Sequence, residues 1–126
     1  MIQGRFGEIG ELFFELDLMA ANGEILTVEA LLDTGFTTGW LLLDIQDVEV
    51  LDWSLLESAI PMQTAQGETF FALFEGQVMF GESEYIVPIH AGVGVPEILL
   101  GLQWLRLQRL VVDFPQGILI LEPRGR

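Results

Sequence analysis

Glu29-Ala30-Leu31-Leu32-Asp33-Thr34-Gly35-Phe36 sets one carboxylate at the end of an apolar run and directly before a Thr-Gly break. Ala30, Leu31 and Leu32 form the continuous apolar stretch that a buried strand presents, and Gly35 then allows positive φ or a close approach of backbone. Asp33 is carried toward the interior with no basic neighbour. The nearest cations in sequence are Arg5 and Arg106, so a local ion pair does not account for it. Asp and Gly are also ordinary turn formers, and the triplet by itself is equally the sequence of a surface turn.

A second stretch changes that reading. Glu97-Ile98-Leu99-Leu100-Gly101-Leu102-Gln103-Trp104 is an apolar strand that ends in Gly and passes into a helix-like run. With Glu29 to Leu32 it makes a faint internal echo of Glu, three apolar residues and a break. In these two anchors the chain resembles the retropepsin-like aspartic proteases, whose apolar-apolar-Asp-Thr-Gly loop is followed, after a flap hairpin, by two apolar residues and Gly opening a short helix. Asp33-Thr34-Gly35-Phe36 is similar, more narrowly, to the small archaeal and cyanobacterial group with an Asp-Thr-Gly-Phe signature. The resemblance spans roughly residues 8 to 122.

The resemblance implies an all-β acid protease barrel with one or two short helices, in which two copies of Asp33 face each other across a homodimer axis. Asp33, Thr34 and Gly35 take the catalytic positions, Thr34 crossing the axis to the opposite loop and Gly35 meeting the substrate main chain. Phe36, Ala65, Gln66, Gly67, Leu99 and Leu100 take the substrate-binding positions, and no cofactor is implied. Viral members carry a small residue and then an Asp after the triplet, paired with an Arg just after the second-anchor Gly. Here those positions are Phe36, Thr37 and Leu102. Acid and base are missing together, which leaves no orphan charge and implies another support for the loop.

Composition bounds the rest. At 126 residues the chain reads as a single domain, 1–126, too short for a two-lobed enzyme. Nineteen acidic residues against five basic ones and one His give a net charge of −14. A nucleic-acid footprint needs clustered cations, so no nucleic-acid partner is expected. Such a charge favours solubility and suits acidic conditions. The absence of Cys excludes disulfides and thiol chemistry, and the single His excludes a His-based metal cluster. The first residues lack the apolar segment of a signal peptide, and no apolar run reaches bilayer length. No membrane partner and a cytoplasmic location are the expectations.

Along the chain, Glu11 to Leu18 and Glu24 to Leu32 read as a hairpin turning at Ala21-Asn22-Gly23, which delivers Asp33. Leu41 to Leu43 continues as a strand. Asp52 to Glu57 reads as a helical turn capped by Asp52 or Ser54 and ended before Pro61. Met62 to Phe70 falls where the family places its flap, with small and polar residues about Gly67. Phe70 to Phe80 and Tyr85 to His90 read as strands joined at Gly81-Glu82-Ser83. Leu110 to Phe114 and Ile118 to Leu121 read as terminal strands, the latter an apolar edge that pairing with a second copy would cover. Trp40, Trp53 and Trp104 read as core or interface residues, His90 as a satisfied structural histidine, Asp113 as turn chemistry, and Asp44, Asp47, Glu49 and Asp52 as a solvated face.

The reading that follows is a homodimeric aspartic endopeptidase acting on polypeptides. Its rivals are a non-catalytic dimerisation or peptide-binding module on the same fold, and a monomeric β-barrel with an incidental Asp-Thr-Gly.

Overall fold

The computed structural model describes residues 1–64 and 67–124. The chain runs β1 (Ile2–Gln3), β2 (Arg5–Phe6), β3 (Leu12–Met19), β4 (Ile25–Leu32), β5 (Leu41–Asp44), α1 (Ile45–Leu51), β6 (Ser54–Thr64), β7 (Gly67–Phe80), β8 (Ser83–Gly92), β9 (Leu99–Leu100), a 3-10 helix (Leu102–Arg106), β10 (Gln108–Asp113) and β11 (Ile118–Pro123).

β3 shows why these segments are strands. Phe14, Leu16 and Leu18 alternate inward while Glu15 stays exposed, the period-two pattern of a half-buried strand. Its hairpin to β4 turns at Asn22-Gly23, where the Asn22 Oδ1 accepts from the Glu24 N–H at 2.9 Å. The register runs from Met19↔Ile25 to Phe13↔Leu31. One eight-stranded sheet has the order β2-β3-β4-β9-β5-β8-β7-β6, and β3 also pairs with β7 through Asp17↔Met79 and Leu18↔Val78. That pairing closes β3, β4, β9, β5, β8 and β7 into a ring, with β2 and β6 as the outer strands of the sheet.

Inside the ring lies one core. Trp104 is fully buried and meets Trp40, Phe80 and Tyr85 edge to face at 4.9, 5.1 and 5.0 Å. Each such aromatic pair contributes about 0.5–1.5 kcal/mol beyond its buried area. Trp53 is also buried and donates Nε1–H to the Met19 carbonyl at 2.8 Å. Of the two expected roles, core or interface, Trp53 and Trp104 take the core, and Trp40 is partly buried against it.

Two expectations are corrected. The helix is not at Asp52 to Glu57 but one step earlier, at Ile45–Leu51. Asp44 is its N-cap, Val48 and Leu51 are its buried face, and Asp52 closes it in the left-handed region at φ 57° and ψ 39°. Ser54 onward is drawn into β6 by long-range pairing with β7, Ser54↔Glu75 and Leu55↔Phe74, which no local signal records. Ile118 to Leu121 is also not an open edge. β11 lies between β1 and β10 in a three-stranded sheet, with Ile2↔Leu121 and Gln3↔Ile120 on one side and the whole of β10 on the other. The first residues of the same chain cover the strand, a pairing between distant termini. Asp113 does serve a turn, its Oδ1 accepting from the Gln116 N–H at 3.2 Å.

Candidate active site

β9 is two residues long and sits between the strands on either side of the Asp33 loop. It pairs parallel with β4, Leu31↔Leu99 and Leu32↔Leu100, and antiparallel with β5, Leu41↔Leu100 and Leu42↔Leu99. Segment 33–40 therefore passes over the end of β9, and the two sequence anchors become one platform. The Asp33 N–H donates to the Leu100 carbonyl at 2.8 Å, and the Leu31 N–H donates to the Ile98 carbonyl at 2.8 Å.

Asp33 is partly buried. Its Oδ1 accepts from the Gly35 N–H at 2.9 Å, and among the described residues Oδ2 has no partner. Neither ion pair of the described residues, Arg5–Glu29 or Arg109–Glu122, touches it. Gly35 does not have positive φ. A Cβ there would lie 3.1 Å from the Asp33 Oδ1, so close approach is what the position requires. Thr34 is exposed, and its hydroxyl finds no partner among the described residues.

The support beneath the loop comes from second-anchor residues to which the sequence reading gave no such role. Gln103 donates Nε2–H to the Thr37 carbonyl at 2.7 Å, and Trp104 donates Nε1–H to the Trp40 carbonyl at 2.7 Å. The Leu102 N–H reaches the Phe36 carbonyl at 3.0 Å, and the Gly101 N–H reaches the Trp40 carbonyl at 2.9 Å. Gly101 passes so close that an added Cβ would fall 1.9 Å from the Gly39 carbonyl oxygen. Amide and indole donors thus hold backbone carbonyls where an acid–base pair holds the loop in viral members of the resembling family.

Phe36 is buried at 8% exposure, its ring edge-on to His90 with centroids 5.1 Å apart. His90 is structural but not satisfied. It is 6% exposed, its Nδ1 has no partner among the described residues, and burial lowers its pKa from the ordinary 6.5, favouring the neutral ring.

Beside the platform lies a cleft of about 750 Å³. One wall is the β6–β7 hairpin, with Gly67, Phe70 and Phe71. The other is the loop before β9, with Val93, Val95 and Pro96, and Leu42 and Leu99 lie between them. Glu68 and Glu97 also line it, and no basic residue does among the described residues. Of the residues expected to bind substrate, Gly67 and Leu99 line this cleft, while Phe36 and the fully buried Leu100 do not. Ala65 and Gln66 lie outside the described residues. Asp44 is no solvated acid: Oδ1 accepts from Gln46 N–H at 3.0 Å and Oδ2 from Val95 N–H at 3.0 Å, tying α1 to the cleft wall. Its position just after an apolar strand and before a helical run was the available signal. Among the described residues no group of three or more His, Asp or Glu could hold a metal, and no helix is long and apolar enough to cross a membrane.

No protein-family model matches the chain, and no curated protein matches it. Among solved structures it is similar to a retropepsin-like aspartic protease from Rickettsia conorii, with a TM-score of 0.64 and 20% sequence identity, over 99% of this chain and 92% of that one. The likeness defines the class: the fold is the mostly β, retropepsin-like fold.

Proposed function

We propose that the protein is an aspartic endopeptidase that hydrolyses peptide bonds as a homodimer, with Asp33 of each subunit forming the catalytic pair. The observation that carries this reading is the state of the Asp33 carboxylate. One oxygen is held by the Gly35 N–H, the other has no partner among the described residues, and the backbone beneath is fixed to β9. Two such carboxylates about 3 Å apart cannot both ionise cheaply, so the pair shares a proton and titrates as a unit. The ionised member takes a proton from a bound water while the protonated member polarises the scissile carbonyl, giving a tetrahedral intermediate with no covalent adduct. Thr34, exposed and with no hydroxyl partner among the described residues, is placed to bond across the axis. Gly67 and Leu99 contact the substrate, and Phe36 and Gln103 hold the loop from beneath.

The experiment is turnover of an unfolded protein such as casein across pH, with and without Asp33→Asn. The variant is nearly isosteric, so the dimer persists while cleavage falls to background. Cleavage above a few per cent in purified Asp33→Ala would overturn the assignment. Binding of peptides with no turnover in the unaltered protein would favour a non-catalytic peptide-binding module.

A further inference from the structure

The cleft beside the platform combines features the endopeptidase reading leaves unused. Its walls are largely apolar, yet its two charged residues, Glu68 from the hairpin and Glu97 from the opposite loop, are both acidic. The four arginines among the described residues lie elsewhere: in β2, at the end of the 3-10 helix, in β10 and after β11. Neither glutamate side chain has an ion pair or hydrogen bond among the described residues, so a cation brought by a ligand meets no competitor. An aliphatic stem has its own surface there. Leu42 and Leu99 are register partners on adjacent strands, which sets their side chains on one face, and Phe71 and Val95 flank them. A long side chain with an apolar stem and a charged tip matches that distribution.

We infer that this cleft is a subsite for a Lys or Arg side chain of the polypeptide substrate, recognised by Glu68 and Glu97. The inference rests on the endopeptidase reading for its place relative to the scissile bond. Leu99 is the register partner of Leu31, and Asp33 follows two residues later. At about 4.8 Å between strands and about 3.3 Å per residue along one, the Leu99 backbone lies about 8 Å from that of Asp33. An extended peptide covers that distance in two to three residues, so the basic residue sits two or three positions from the bond cut. The net charge of −14 assists by drawing cationic chains toward the surface.

The test separates the cleft from the chemistry. Fluorescein-labelled random undecapeptide pools with Arg, norleucine or Glu fixed at the centre are titrated against the Asp33→Asn protein, and the same pools are incubated with unaltered protein for mass-spectrometric mapping of cleavage. Exposed carboxylates each contribute modestly, so the Arg pool is expected to bind about tenfold tighter than the norleucine pool at low salt. Glu68→Gln with Glu97→Gln should reduce the ratio to twofold or less, and Glu68→Lys with Glu97→Lys should turn preference toward the Glu pool. Glu24→Gln with Glu82→Gln, the same change of net charge outside the cleft, should leave the Arg preference in place. Equal binding of the Arg and norleucine pools overturns the proposal, as does a preference that survives the cleft double variant or is lost equally in the remote one. Arg preference at the cleft with no cleavage of any pool supports the subsite and overturns the endopeptidase reading. Cleavage with no basic residue near the cut does the reverse.

Discussion

Thr34 is exposed, one residue from the carboxylate, with no hydroxyl partner among the described residues, and in the proposed dimer that hydroxyl bonds the opposite loop. Thr34→Val keeps shape and removes the bond. It is expected to weaken dimerisation by about 1 kcal/mol per hydrogen bond lost and to lower activity per total protein, measured by sedimentation and turnover on the same samples. Asp44 carries a different load, since both of its oxygens are occupied, one by the helix cap and one by Val95. Asp44→Ala should destabilise the fold by about 1–3 kcal/mol in denaturant titration, the sum of a lost cap and a lost tether. Because Val95 lines the cleft, the same variant should raise KM more than it lowers kcat. An unchanged KM would show that the tether does not shape the cleft.

At the scale of elements, the crossing of segment 33–40 over β9 depends on an approach with no room for a side chain. A Cβ at Gly101 would sit 1.9 Å from the Gly39 oxygen, a backbone atom that cannot swing aside. Gly101→Ala should therefore cost more than an ordinary surface change, about 2 kcal/mol or more in thermal or chemical unfolding, and should reduce activity even where the protein remains folded. The two anchors were legible in the sequence because each carries local marks, an apolar run, a break and a Gly, whereas their meeting in one crossing was not. The β3–β4 hairpin was legible through local marks too, alternation and Asn22-Gly23. What the sequence hid is set by partners far along the chain. The stretch after Asp52 becomes strand because β7 claims it, and β11 becomes an inner strand because Ile2 and Gln3 return to cover it. The role of Gln103 and the tether from Asp44 to Val95 were hidden too, because a side chain that bonds a distant backbone group leaves no periodicity to read.

For the whole molecule, acidity acts in opposite directions on assembly and on the fold. Each chain carries −14 at pH 7, so the proposed pairing would bring two acidic bodies together, and the proposed Asp33 pair would need one shared proton. Both favour lower pH. The fold resists it. His90 is neutral where it is buried, with its pKa below the ordinary 6.5, so between those values the unfolded chain binds the extra proton and stability falls as pH drops. Glu29, lowered from 4.5 by its hydrogen bond to Arg5, adds stability that is present above 4.5 and lost as pH falls through its folded value, a small term for an exposed pair. Activity should accordingly rise from neutrality into mild acid and then collapse as the fold gives way. His90→Leu, which removes the titrating ring without shrinking the site greatly, should flatten the dependence of unfolding free energy on pH just below 6.5. Salt separates assembly from protonation, since the screening length falls from about 10 Å at 0.1 M to about 3 Å at 1 M while the shared proton is little affected. At pH 7, raising salt should increase the dimer fraction without moving the pH of maximal turnover per dimer. A maximum at pH 8 or above in fully dimeric protein would defeat the shared-proton mechanism while leaving the fold untouched.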